Sequence, residues 1–143
     1  MQQDDRCANM KPVNFLLAGC LVASSVFSVP SHAFDLAGAW TTDSSICPKL
    51  FTKTAKAISF KRDSEDHGKG FIVAGNVIRG PRTKCVIKAR TENGPETRLL
   101  ASCASEIMID QVQVSFKIVN DNSIVRLFPG METFETSYVR CAL

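Results

Sequence analysis

The sequence predicts a small all-β protein, an antiparallel meander barrel of eight or nine strands held by two disulfides. Short stretches of alternating apolar and polar residues recur along the chain, and no helical period of useful length interrupts them. The 143 residues are enough for one domain. The composition, 45% apolar and 22% charged, is that of a globular protein and excludes the disordered, collagen-like and coiled-coil classes.

Residues 1–33 are predicted to be a cleaved signal peptide, which leaves a barrel domain at 34–143. An apolar stretch follows a basic residue, and Ser31 and Ala33 supply the small side chains that signal peptidase reads. Met10 is the better start of this leader, because the nine residues before it carry two acidic side chains. We therefore expect an exported protein, periplasmic or secreted, that does not span a membrane after cleavage.

Two alternatives to this cleavage remain open. Residues 17–20 read Leu-Ala-Gly-Cys, the form of a bacterial lipoprotein box, which would leave a lipid on Cys20. An uncleaved anchor would need about 20 apolar residues, and the apolar stretch at 15–29 is shorter than that.

A hairpin is predicted from strands 83–90 and 97–104 around Gly94. One register aligns the apolar faces of the two strands, with the pairs Ile87–Ala101 and Ala89–Leu99. The same register places Cys85 directly opposite Cys103. A disulfide can span such a pair, so we expect a Cys85–Cys103 bridge.

The second disulfide follows by elimination. Four cysteines remain after the leader is removed, and an even number in a small exported domain indicates disulfides rather than free thiols. With Cys85 and Cys103 paired, the second bridge is Cys47–Cys141.

Another hairpin is predicted around a turn at Asp121-Asn122, which places Ile118 opposite Val125 and Phe116 opposite Leu127. Besides strands 83–90 and 97–104, strands are expected at 35–42, 55–62, 70–74, 77–80, 111–118, 124–128 and 134–141.

The strand count depends on Gly75-Asn76. A two-residue turn there gives nine strands, whereas a glycine kink within one strand gives eight. Closure of an all-antiparallel barrel favours the even number, but nine strands place Cys47 and Cys141 at the same end. Both counts stay open at this stage.

Catalytic motifs are scarce in the chain, and we expect a protein that is not an enzyme. After cleavage His67 is the one histidine that remains, and neither a Gly-x-Ser-x-Gly elbow nor a His-Glu-x-x-His motif occurs. Residues 63–68 resemble the first half of a calcium loop, but Ala74 stands where a bidentate glutamate is required. No metal and no cofactor are therefore predicted.

The net charge of +3 is unevenly distributed, because residues 49–98 hold twelve basic and five acidic side chains. On strand 83–90, Lys84, Lys88 and Arg90 are expected to alternate on the face opposite Cys85. Such a patch favours an anionic partner, either an acidic protein cleft or an anionic envelope component. Nucleic acid is not expected, because no aromatic stacking platform accompanies the charge.

An apolar rim is predicted at one end of the barrel, because alternate loops of a meander project from the same end. Exposed methionines beside arginines are typical of protein-binding edges. The rim is predicted to consist of Arg79, Arg82, Ile107, Met108, Ile109, Phe128 and Met131.

The first strand begins with Gly38-Ala39-Trp40, and Arg140 lies on the last strand. This Gly-x-Trp pattern with a late arginine resembles the lipocalin-like barrels and the small bacterial periplasmic protease inhibitors built on the same plan. The resemblance implies that Trp40 closes the bottom of the barrel and that Arg140 packs across its ring as a cation–π pair.

The predicted function is that of a non-enzymatic binding protein of the bacterial envelope that engages another protein through its rim. Inhibition of a protease or of a lysozyme-like enzyme is the most concrete version. One alternative is a small-molecule or lipid carrier, for which an interior filled by Phe71, Phe116, Leu127 and Tyr138 leaves no room. The other is a hydrolase that depends on His67.

Overall fold

The computed structural model describes residues 33–143. Apart from Ala33, the predicted signal peptide lies outside the described residues, as does Cys20. One-turn helices occupy Ser44–Ile46, Ser64–His67 and, as α1, Cys47–Leu50. The strands are β1 Gly38–Thr41, β2 Phe51–Lys53, β3 Ile58–Phe60, β4 Gly70–Ala74, β5 Val77–Arg79, β6 Lys84–Asn93, β7 Glu96–Ala104, β8 Ile109–Asn120, β9 Ser123–Leu127 and β10 Glu135–Arg140.

Eight antiparallel strands form a closed barrel in the order β1-β10-β9-β8-β7-β6-β5-β4. The predicted fold class is confirmed, and the count is eight for a reason that the sequence did not reveal. Gly75-Asn76 is a turn between β4 and β5 and not a kink. The predicted strand 55–62 instead contributes β3, which pairs with β2 in a separate ribbon outside the barrel.

The β6–β7 hairpin has the predicted register at its disulfide end. Cys85 faces Cys103 and Ile87 faces Ala101, but Ala89 faces Leu100 and not Leu99. The register shifts between Ile87 and Ala89, because Lys88 is an extra residue on β6 that forms a bulge.

The β8–β9 register differs from the prediction by one residue. The turn at Asp121-Asn122 is present, but Ile118 faces Ile124 and Phe116 faces Arg126. The register shifts between Ile118 and Asn120, where the extra residue Val119 forms a bulge. A one-residue shift exchanges the two faces of a strand. Leu127 therefore faces outward, and Arg126 takes the inward position.

Both predicted disulfides are present. Cys85–Cys103 joins β6 to β7, and Cys47–Cys141 joins α1 to the end of β10. Cys141 lies beside β1, since its N–H donates a hydrogen bond to the carbonyl of Ala39. The second bridge therefore holds the connector 42–69 against the wall of the barrel.

The interior core is built around Trp40, which is fully buried. Alternation along β1 turns Trp40 inward and leaves Ala39 and Thr41 on the outer face. The other buried side chains of this cluster are Leu36, Val73, Leu99, Phe116, Ile124 and Tyr138.

A second core lies on the outer face of β1 and β4. Ala39 and Ile72 are covered there by Leu50 and Phe51 of the connector. The connector begins with a capped turn, in which the Asp43 carboxylate accepts a hydrogen bond from the Ser45 N–H at 2.8 Å. That hydrogen bond lowers the pKa of Asp43 below its ordinary value of 3.8.

Close packing of the connector requires a glycine at the start of β4. A Cβ atom at Gly70 would lie 2.7 Å from the Trp40 carbonyl oxygen and 2.8 Å from Cζ of Phe51. Both contacts are shorter than van der Waals contact, so a side chain here would force the connector away from the barrel.

We expect Gly70→Ala to lower the free energy of unfolding by about 1–3 kcal/mol, the usual cost of overpacking. Gly80→Ala is the matched control, because its Cβ would lie 3.7 Å from the nearest heavy atom outside its chain neighbours. Urea denaturation of both variants measures the difference. Equal stability would contradict this account of the second core.

The two disulfides should differ in their contribution to stability, because they close loops of 94 and 18 residues. If a disulfide stabilises the fold by lowering the entropy of the unfolded chain, loops of these lengths contribute about 4.7 and 3.2 kcal/mol to the free energy of unfolding. We therefore expect the Cys47→Ser/Cys141→Ser pair to lose about 1.5 kcal/mol more than Cys85→Ser/Cys103→Ser. Guanidinium unfolding of the two double variants tests this order, and a reversed order would contradict it.

Candidate functional site

The two ends of the barrel carry different connections, because alternate connections of an antiparallel barrel leave from the same end. Tight turns lie at one end, here called the turn end: Gly75-Asn76, Gly94-Pro95 and Asp121-Asn122. The longer connections lie at the other end, here called the loop end: 42–69, 80–83, 105–108 and 128–134. The predicted rim residues therefore all belong to the loop end or to strand ends beside it.

At the loop end the β7–β8 hairpin extends beyond β9 on one side, whereas on its other side β6 accompanies β7 to the pair Lys84–Ala104. β9 stops where Leu127 pairs with Ser115, whereas β8 and β7 continue to the pair Ile109–Ala104. Six residues of extended chain correspond to about 20 Å. The hairpin tip, residues 105–109, thus projects past the end of β9.

Three consecutive apolar residues of the tip are exposed to solvent. Ile107 is 89% exposed, Met108 60% and Ile109 80%. The Ser105 N–H donates a hydrogen bond to the Met108 carbonyl at 2.9 Å, which closes the loop. The tip is therefore an ordered turn that presents apolar side chains outward.

The two predicted rim arginines have different surroundings. Arg82 forms an ion pair of 2.6 Å with Glu65, and both side chains are partly exposed. The hydrogen bond with Glu65, with the charges of Glu65 and Glu106, raises the pKa of Arg82. Arg79 is exposed on β5 and forms no ion pair within residues 33–143.

The predicted basic face of β6 is divided by the bulge at Lys88. Arg90 lies opposite the buried Leu99 and not on the outer face with Lys84, so that part of the prediction is wrong. Its guanidinium donates hydrogen bonds to the Phe34 carbonyl and to the Glu92 carboxylate. Arg90 thus belongs to the turn end.

The other predicted rim loop, 128–134, lies against the barrel. Phe128 is half-buried, with its ring centroid 4.7 Å from Cζ of Arg126. Together with Phe134 it borders a groove on the outer face of β7 and β8. Met131 remains exposed in this loop.

The barrel interior contains a cavity of about 300 Å³. Its lining is mostly apolar and includes one cation: Phe71, Ile78, Gly80, Thr83, Cys85, Cys103, Val112, Val114, Phe116, Arg126 and Tyr138. Leu127 was predicted to fill this space but lies on the outer groove. Cavities of about 300–1,000 Å³ are the size of small-molecule sites, so the interior has more room than the sequence indicated.

Sequence reasoning missed Arg126. The alternation of strand 124–128 contained the signal, because Ile124 and Arg126 share one face. The hairpin register assumed from the sequence turned that face outward, and only the bulge at Val119 turns it inward.

The turn end is closed by Trp40 and Arg140. Cζ of Arg140 lies 4.4 Å from the Trp40 ring centroid. The same guanidinium donates hydrogen bonds to the carbonyls of Asp121, Ala37 and Asp35. The Trp40 indole N–H donates to the Leu36 carbonyl at 2.8 Å. Arg140 thus links the turn after β8 to the segment that precedes β1.

His67 is exposed in the helical turn Ser64–His67 and does not line the interior cavity. Within residues 33–143, no group of three or more His, Cys, Asp or Glu side chains is arranged to hold a metal ion. In the same part of the chain no helix has the length and hydrophobicity needed to cross a membrane.

We expect Arg140→Met to lower the free energy of unfolding by about 2–4 kcal/mol, because it removes charge-assisted hydrogen bonds and the cation–π contact. Arg140→Lys should have a smaller effect, since it keeps the charge. Arg98→Met is the control, because Arg98 forms only an exposed pair of 3.5 Å with Glu96 and should change stability by less than about 0.5 kcal/mol. Similar urea midpoints for Arg140→Met and Arg98→Met would contradict the linking role of Arg140.

Comparison with known proteins yields no match to the chain among protein-family models, curated proteins or solved structures. The resemblance carried by Gly38-Ala39-Trp40 and Arg140 is supported by the architecture alone, since an eight-stranded closed antiparallel barrel is compatible with a lipocalin-like barrel.

Proposed function

We propose that the protein is a non-enzymatic, exported binding protein of the bacterial envelope that engages another protein through the β7–β8 tip. The observation that carries the proposal is the exposure of Ile107, Met108 and Ile109 on a hairpin tip that extends past the end of β9. Contiguous apolar groups on an otherwise polar surface mark interaction sites. In an inhibitor of a protease or lysozyme-like enzyme, residues 105–109 would be the segment that contacts the active-site cleft.

A disulfide lies at the base of the tip. Cys103, at one end of the β6–β7 disulfide, pairs with Asp110, the residue next to Ile109. The disulfide therefore lies one residue pair below the tip and fixes it to the barrel wall. A preformed binding element loses less conformational entropy on association.

The free edge of β8 adds main-chain recognition to the apolar tip. Residues 109–114 pair with β7 but not with β9, and the loop 128–134 donates no backbone hydrogen bond to them. The Asp110 carboxylate accepts the Gln111 N–H at 2.7 Å and so occupies one donor of this edge. An extended segment of a partner can pair with the remaining groups by strand addition.

The compartment in the proposal is supported by the disulfides, which form and persist in oxidising environments such as the periplasm. Arg79 supplies an exposed positive charge at the loop end. Such charges steer association more than they add affinity, so the apolar tip is expected to carry most of the binding energy.

The test is inhibition of a trypsin-like protease, a subtilisin-like protease and a c-type lysozyme. We expect at least one to be inhibited, and Ile107→Ser/Ile109→Ser to weaken inhibition tenfold or more, because each buried isoleucine contributes about 1.5–3 kcal/mol.

Val119→Ser is the matched control, since Val119 is 56% exposed but lies at the turn end. It should inhibit as the wild type does. If none of the three enzymes is inhibited, the inhibitor hypothesis is overturned. If the double variant inhibits as strongly as the wild type, the tip is not the contact surface.

A further inference from the structure

The interior cavity contains a cation that no described acidic side chain neutralises. Arg126 and Phe116 are directly paired across β9 and β8, so both face the barrel interior. No carboxylate within residues 33–143 lies within ion-pair distance of Arg126. The Phe128 ring lies under the guanidinium, at 4.7 Å from Cζ to the centroid.

Three other arginines, Arg82, Arg90 and Arg98, each form an ion pair with a glutamate. Arg140 is half-buried like Arg126, but its guanidinium donates to backbone carbonyls. Arg126 instead lines an apolar cavity. A guanidinium stays protonated in proteins, and partial removal from water disfavours its charge unless an anion or acceptor is nearby.

A second polar group lines the same cavity. Tyr138 is buried and lines the cavity together with Arg126. Arg126 pairs with Thr136, which makes Tyr138 its diagonal neighbour on the inner face, at about 7–8 Å between backbones. One small headgroup can therefore reach both side chains.

We propose that the cavity binds a small amphipathic carboxylate, with its headgroup at Arg126 and its tail among Phe71, Val112 and Val114. A planar guanidinium matches a carboxylate in two parallel hydrogen bonds. A single cation in the lining favours a monoanion. The cavity volume of about 300 Å³ equals about ten water molecules of liquid volume, so a ligand of about ten non-hydrogen atoms fits.

This site is separate from the β7–β8 tip, since none of the residues 105–109 lines the cavity. The proposal is therefore independent of the protein-binding function, and either can fail without the other.

Octanoate and phenylacetate are the probes, because each has about ten non-hydrogen atoms, the size indicated by the cavity volume. The uncharged controls are 1-octanol and 2-phenylethanol. A preference for octanoate would indicate a lipid-derived acid, and a preference for phenylacetate an aromatic one. Titration calorimetry measures affinity, while Trp40 fluorescence reports on the interior, because this single tryptophan lies 6.4 Å from the cavity residue Phe71 between ring centroids.

We expect at least one acid to bind with one-to-one stoichiometry and at least tenfold more tightly than its alcohol. Arg126→Met should weaken acid binding tenfold or more. Arg98→Met, which removes an arginine from the outer face, should leave it unchanged.

Three results would overturn the proposal: neither acid binds at 10 mM, the alcohols bind as tightly as the acids, or Arg126→Met binds the acid as the wild type does. If Arg126→Met does not fold, the comparison of acid with alcohol on the wild type still decides. Methyl NMR shifts on acid addition locate the ligand, with Val112 and Val114 expected to move and Ile109 expected to stay. Shifts confined to Ile109 would also overturn it.

Discussion

The whole architecture depends on the pairing of β1 with two strands at once. This four-residue strand is antiparallel to β4 along one edge and to β10 along the other, and these pairings close the barrel. Because side chains alternate along a strand, β1 also serves both cores. Trp40 fills the interior, while Ala39 supports the outer core under the connector. Loss of this strand would open the barrel and expose both cores together.

Two kinds of contact hold β1 in place in addition to its backbone hydrogen bonds. Arg140 covers the Trp40 ring and hydrogen-bonds to the segment before β1, so the strand is anchored where it begins. The Cys47–Cys141 disulfide and the packing around Gly70 anchor the connector that follows it. Gly38 has a positive φ of 132°, which a residue with a side chain rarely adopts. A Cβ atom there would also lie 3.2 Å from Nη1 of Arg140, so the guanidinium would have to shift.

The sequence was informative wherever one local pattern determined the structure. The opposed cysteines of the β6–β7 hairpin identified both their disulfide and its register. The alternation of residues 111–118 correctly predicted β8. Strand 55–62 was wrongly assigned to the barrel, because a short β segment has the same alternation whether it pairs in a barrel or in a ribbon. The choice depends on the connector packing over β4, which is a long-range contact.

The two bulges had the largest consequence for which side chains form the candidate sites. An extra residue at Val119 or Lys88 has no distinctive local sequence, yet each reverses the facing of every residue beyond it. Arg90 is placed in this way on the face that it shares with Leu99, and Arg126 on the face that lines the interior. The position of the candidate rim could be predicted from the sequence, because assigning a loop to one end of the barrel does not require the pairing register of the strands. The lining of the cavity could not be predicted, because the inward facing of Arg126 depends on the bulge at Val119.

The two proposed sites share β8 but use different parts of it. Val112 and Val114 turn inward and line the cavity, whereas Ile109 stands beyond the end of β9. The interior of a closed barrel is shaped by all of its strands, so its ligand is selected by volume and by the Arg126 charge. The tip lies outside the barrel interior, and its position is set by the β7–β8 hairpin and the Cys85–Cys103 disulfide. The two proposals therefore depend on different residues, which can be changed separately.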